Sequence, residues 1–338
     1  MRNFFLLMII ILFCLVVFAG EANAVFVHPP VLKLSVMSAL DEIYLANVLV
    51  PEKWKAFYDG GEDERYQWLV STYDSFSEDQ KRVLNRVFEK TSTWNLMNAM
   101  QDLPDDATID DINRKVSFSF SIPLFIKGDL NGLLKAFYEN HFKEYYEGHL
   151  PYYTSLAERL TQESDNLPNP FDYIEMWTGI TLGDYECIFY YTFRKVGAWG
   201  FTSGNRKVST IQAGVDSLDL LYSAPLHEYA HNFFQTFTKD KGFKQLSERL
   251  VAIESLYNGW NDSANLKKSY DWRAFCEENL VEGFAKFLRW KLNPENDPKS
   301  GIYPLDLEFF EFLKEKDFSP QKYSLKEISF MFYEGLLE

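Results

Sequence analysis

The chain has 338 residues, with 49 acidic against 34 basic side chains, a formal net charge of −15, and an aromatic share of 17%. That length supports one large domain or two smaller ones with a real core. The acidic balance and the absence of any Lys/Arg block argue against nucleic acid as a partner. Residues 1–24 read as an export leader. Arg2 gives a short positive start, Phe4 to Phe18 is almost unbroken apolar, and Ala22-Asn23-Ala24 puts small residues where a signal peptidase cuts. The run is too short for a confident membrane span, and Leu12-Phe13 ahead of Cys14 does not fit a lipidation box. The expectation is a secreted or periplasmic protein, cleaved after Ala24 and not stably inserted in a membrane, with an uncleaved anchor as the alternative. The mature chain keeps Cys187 and Cys276, which could form one disulfide in an oxidising compartment. Most of the aromatic side chains are expected in the core.

Helical spacing of apolar residues predicts a helix over 36–48. A second is expected over 77–103, opened by the capping sequence Ser77-Glu78-Asp79-Gln80. A third, over 130–160, carries Phe137, Tyr138, Phe142, Tyr145 and Tyr146. A stretch rich in Asn, Pro and Asp at 165–172 sets a soft boundary between a helical N-terminal region, 25–165, and a second region, 166–338, unless one domain runs on from residue 25. The strand signal follows that break. Residues 186–193 are dense in β-formers, Gly197, Gly200 and Gly204 mark turns, and 207–215 is a second short run. A helix should then start at Ser223 as N-cap, with Pro225 in its first turn, and run to about Lys239. Four more helices are expected over 243–257, 272–292, 305–316 and 325–337. No repeat or low-complexity stretch is present. The fold class expected is α+β and mostly helical, with a small antiparallel sheet ahead of the Ser223 helix.

That helix carries His227-Glu228-Tyr229-Ala230-His231, an H-E-x-x-H string in a chain with only five histidines. Residues four apart share a helix face, so both imidazoles can converge on one ion, with Glu228 beside it as a proton acceptor. Leu226, Ala230, Phe233, Phe234 and Phe237 form the core stripe, and the two histidines border it. Catalytic zinc needs a third protein ligand, and no histidine follows His231. A downstream carboxylate must serve, and the segment from Cys276 to Ala285 supplies candidates. Glu278 shares a face with Ala274, Val281, Glu282 and Ala285, where a carboxylate is costly unless paired or coordinating. Glu282, one turn on, can accept the free N–H of a ligand imidazole. Glu277 competes with Glu278 as ligand, and a solvated acidic face is the alternative for all three.

The pairing of His227-Glu228-x-x-His231 with a helix-borne Glu278-x-x-x-Glu282 resembles the gluzincin metallopeptidases. The chain departs from their pattern in a longer stretch between His231 and Glu278, in Glu rather than Asp at 282, and in Pro225 before the first histidine. The Glu278-Asn279-Leu280-Val281 segment and the helical N-terminal half are closer to a little-characterised family of secreted proteins read as metallopeptidases. The specific match spans about residues 207–290. The resemblance implies a zincin-like core that holds Zn²⁺ on His227, His231 and Glu278. It implies Glu228 as general base, Glu282 as the group orienting a histidine, and water-mediated hydrolysis of a peptide or protein substrate. It also implies that the peptide adds as a strand to a sheet edge before the metal helix, for which Val208, Ser209, Thr210, Ile211, Gln212 and Ala213 are the candidates. Tyr257, Tyr270 and Arg273 are open candidates for stabilising the oxyanion. Two other readings remain. A secreted binding or surface protein could retain a non-catalytic zinc site, although the intact Glu228 argues against it. The string could also be incidental in a carbohydrate-binding module, although such modules are usually β-rich.

Overall fold

A helix buried along its whole length organises the N-terminal half. The computed structural model describes residues 25–338 apart from 166, 264, 265, 268, 269, 296, 299 and 300, so the leader expected at 1–24 lies outside the described residues. After a short strand β1 (Phe26–His28), every residue of α1 (Leu32–Tyr44) is buried, including Lys33, Asp41 and Glu42. Buried charges are tolerated only when paired. Lys33 Nζ reaches Asp105 at 2.7 Å, Arg194 pairs with Asp41, and Arg65 and the Tyr58 hydroxyl both meet Glu42. These pairs tie α1 to distant segments of the chain. The helix expected over 36–48 therefore starts and ends four residues sooner, and Leu45–Leu49 widens into a π-helical turn.

Seven α-helices follow α1 before the break, the first six being α2 (Pro51–Phe57), α3 (Glu64–Ser75), α4 (Glu78–Lys90), α5 (Thr93–Met100), α6 (Ile109–Phe118) and α7 (Leu124–Phe137). The Ser77/Gln80 capping box opens α4 as its sequence predicts. The single helix expected over 77–103 is nevertheless two, because Thr91 turns extended and Ser92 accepts the Asn95 N–H to cap α5. The long helix expected over 130–160 is likewise divided. A π-helical turn at Tyr138–Phe142 separates α7 from α8 (Lys143–Ser164), and α9 (Pro170–Thr178) follows.

The sheet is mixed, not antiparallel. Its order is β1-β2-β4-β3, with β2 (Glu186–Tyr191) parallel to both β1 and β4 (Arg206–Ile211), and only β3 (Gly200–Ser203) antiparallel to β4. The parallel pairs arise because the connections into and out of β2 are long crossovers rather than tight hairpins. β1 brings a segment from before the 165–172 break into register with β2, Phe26 against Ile188. The strand expected over 207–215 stops at Ile211.

The metal-motif helix, α10, spans Leu218–Thr238 with Ser217 at its N-cap position. It thus begins before Ser223, whose hydroxyl instead donates to the Leu220 carbonyl at 2.8 Å. Pro225 lies inside the helix rather than in its first turn. An interior proline costs about 3 kcal/mol, and burial of Leu221 and Tyr222 on the added turns offsets it. The helix expected over 243–257 is α11 (Lys241–Arg249) and α12 (Glu254–Asn261), joined by a 3₁₀ turn at Leu250–Ala252. α13 (Trp272–Leu292) has the predicted bounds, and α14 (Asp306–Glu315) and α15 (Leu325–Gly335) close the chain. The fold is α+β and mostly helical. Cys187 and Cys276 do not pair: both are buried free thiols, on β2 and α13. Among the described residues no helix is long and apolar enough to cross a membrane.

Candidate metal centre

Two helices build the site from opposite sides. α10 presents His227 and His231 on one face, their rings 5.1 Å apart and nearly perpendicular. α13 faces them with Glu277, Glu278 and Glu282, all buried. Aromatic packing of Phe234 against Phe284, with ring centroids 5.7 Å apart, locks the two helices beside the cluster.

The imidazoles are held by their inner nitrogens and open at their outer ones. His227 Nδ1 lies 2.8 Å from Glu282, and His231 Nδ1 lies 2.8 Å from Glu277. A carboxylate can only accept there, so each Nδ1 carries the proton and each Nε2 is the free ligand atom. Both Nε2 atoms point to Glu278, at 3.3 Å for His227 and 3.5 Å for His231. Donor atoms of His227, His231 and Glu278 all lie within 4.8 Å of one another. Glu278 Oε2 is buried and makes no hydrogen bond. A buried carboxylate whose Oε2 faces His227 Nε2 and whose Oε1 faces His231 Nε2, with Oε2 left without a hydrogen bond, is a donor set that a divalent cation can satisfy once it displaces the imidazole protons.

Glu277 and Glu278 have different surroundings, and those of Glu277 are occupied by α10. Glu277 also accepts from Thr238 at 2.5 Å and Gln235 at 3.3 Å, which leaves it orienting His231 rather than facing the cluster. Glu282 is braced in turn by Lys286 at 2.5 Å, and Lys286 reaches Asp306 at 3.2 Å. Asp306 accepts the backbone N–H groups of Ile302 and Tyr303 at 2.6 and 2.9 Å, anchoring Tyr303 to the same network. No periodicity or motif points to Tyr303, a single aromatic in an aperiodic loop.

Tyr303 and Tyr270 have their hydroxyls 3.5 Å apart, and both phenols are held protonated, chiefly by burial and then by the negative charge of Glu278. Of the three oxyanion candidates, Tyr270 therefore faces the cluster. Tyr257 packs its ring on Trp260 and Trp272, and no hydrogen bond or ion pair among the described residues joins Arg273 to the site.

Glu228 sits beside β3 and lines a cleft of about 490 Å³ together with His231, Trp94, Phe201 and Lys207. Burial raises its carboxyl above the ordinary range, opposed by the charge of His227 and His231 and, to a smaller extent, by the Gly200 backbone N–H that holds the ionised form. The contact requires glycine, since a Cβ on Gly200 would lie 2.9 Å from Glu228 Cβ.

The expected edge strand is corrected here. Val208, Ser209, Thr210 and Ile211 lie on β4, which is hydrogen-bonded on both sides, and Gln212 and Ala213 fall beyond its end. The edge on the cleft side is β3. Trp199 O accepts from Thr210 N, so by alternation the backbone groups of Gly200 and Thr202 face outward. The Trp94 indole N–H already donates to Gly200 O at 3.1 Å.

Without a metal the cluster is an alternating charge array. Burial disfavours charge on each member, but hydrogen bonds to Glu278 and Glu282 carry His227 up to about 10, and bonds to Glu277 and Glu278 carry His231 up to about 9. Burial likewise disfavours the Glu278 anion, yet the two imidazoles bring it down to about 2. The histidine contributions to stability are fully present below 6.5 and are lost as pH rises through about 9 to 10. The Glu278 contribution is present above 4.5 and is lost as pH falls through about 2. Metal-stripped protein should therefore show a Tm that falls from pH 6.5 to pH 10 more steeply than that of Glu278→Gln. Thermal unfolding in chelator measures it, and equal slopes would refute the charged array.

Comparison of the chain with protein-family models, with curated proteins and with solved structures finds no match.

Proposed function

We propose that the chain is an exported zinc metallopeptidase of gluzincin type with a zincin-like core. The observation that carries this reading is the division of labour among four carboxylates around two histidines. Glu277 and Glu282 hold the Nδ1 atoms, Glu278 faces both Nε2 atoms, and Glu228 stands apart in the cleft. A structural site has no use for the fourth, and it usually has four protein ligands rather than three. His227, His231 and Glu278 would hold the ion, and nitrogen-rich donors with one carboxylate suit zinc. Zinc supplies Lewis acidity there, polarising a carbonyl and bringing a water within reach of deprotonation near neutral pH.

The chain's own groups do the rest. Glu228, held at Gly200, takes a proton from the attacking water and returns it to the leaving amine. Tyr270 and Tyr303, kept protonated, are the hydroxyl donors available to negative charge developing on the carbonyl oxygen. The outward edge of β3 is where an extended peptide can pair, beginning at Thr202. The leader-like residues 1–24 support export. Purified mature protein should carry one equivalent of zinc by elemental analysis. Metal-free protein that neither takes up zinc nor gains peptidase activity on its addition would remove this reading.

A further inference from the structure

Five cations are buried among the described residues: Lys33, Arg65, Arg194, Lys207 and Lys286. Four of them sit against a carboxylate, Lys33 on Asp105, Arg65 on Glu42, Arg194 on Asp41, and Lys286 on Glu282 and Asp306. Lys207 alone forms no ion pair with a carboxylate, although it is only 3% exposed in a chain of net charge −15. Its Nζ donates to two neutral oxygens, Thr202 Oγ1 at 3.0 Å and Asn232 Oδ1 at 2.9 Å, and lies 4.3 Å from the Tyr185 ring centre. Rings and neutral acceptors compensate a desolvated ammonium only in part, and its pKa is accordingly pushed down by burial.

The position of this cation bears on the site. Lys207, Thr202 and Asn232 all line the cleft of about 490 Å³ that Glu228 and His231 also line, and no other lysine or arginine among the described residues lines it. Through Asn232 the ammonium is tied to α10, and it shares the cleft wall with His231 and Glu228. Asn98, which also lines the cleft, accepts from Gln101 at its Oδ1, which leaves its amide N–H groups as a second donor.

We infer that Lys207 makes this cleft a carboxylate-binding subsite, so that the preferred peptides carry an anionic group close to the scissile bond. The inference rests on the peptidase reading and narrows its substrate class. The carboxylate can belong to an Asp or Glu side chain or to the peptide's own C-terminus. The first source makes the protein an acid-selective endopeptidase, and the second a carboxypeptidase.

The test uses the zinc-loaded full mature chain and matched peptides in two pairs: one with Glu or Gln beside the cleaved bond, and one cut at the same bond near its C-terminus, free or amidated. An anionic partner for a buried cation changes affinity by about tenfold or more. The wild type should therefore favour one carboxylate form over its amide by about tenfold in kcat/KM, mainly through KM. In Lys207→Met that ratio should fall to near unity. The same peptides are titrated onto zinc-loaded Glu228→Gln protein, which reads binding without turnover. Carboxylate-selective binding there, with no cleavage by wild type, would uphold the subsite and sink the peptidase. Cleavage by wild type with no preference in either assay would sink the subsite and leave the peptidase standing. The comparison of acid with amide on wild type holds even if Lys207→Met fails to fold.

Discussion

Glu278→Ala should leave the protein folded and unable to retain metal. The substitution removes the one carboxylate that faces both Nε2 atoms, and two imidazoles alone do not complete a zinc site. Substitutions of groups that only orient a ligand weaken metal binding by about 10- to 100-fold, so Glu277→Ala and Glu282→Ala set the scale that Glu278→Ala should exceed. Zinc binding also has to displace protons from histidines that are charged in the metal-free chain, His227 up to about 10 and His231 up to about 9. Wild-type binding at neutral pH should release about two protons and strengthen as pH rises. Titration calorimetry in buffers of different ionisation enthalpy reads affinity and proton release together. If Glu278→Ala bound zinc like wild type while Glu277→Ala did not, the ligand assignment would be reversed.

Glu228→Gln should keep the metal and lose turnover. The amide preserves shape and can still meet Gly200, but it cannot take a proton from water. Loss of a positioned general base lowers kcat by roughly 10²- to 10⁴-fold. Because Glu228 contributes nothing to the ligand set, zinc content should match wild type and KM should move little. A variant with intact zinc and intact kcat would show that another group accepts the proton.

Much of the site could be read from the chain because helix geometry is local. His227 and His231 at i and i+4, and Glu278 and Glu282 at the same spacing, needed only two helices to be aligned, and α13 has the bounds its apolar periodicity predicts. Adjacent residues on one helix are harder to separate. Glu277 and Glu278 could be distinguished only by Gln235 and Thr238, which reach across from α10 to claim Glu277. Long-range pairing was not legible at all. β1 and β3 are three and four residues long, too short to alternate, and the parallel pairing of β1 with β2 links residue 26 to residue 188. The sequence accordingly points to β4 as the edge, because it is the stronger strand in sequence, although it is an interior one in the sheet. Pro225 misplaced the start of α10 because the turns that bury Leu221 and Tyr222 outweigh a local rule.

The decisive measurement is cleavage of a diverse peptide pool by zinc-loaded wild type and zinc-loaded Glu228→Gln, read by mass spectrometry. The proposed chemistry predicts discrete cleavage by wild type that disappears with chelator and is absent from the variant. A metal-replete wild type that cuts no peptide, or a variant that cuts as well as wild type, would contradict it and favour a zinc site without catalysis.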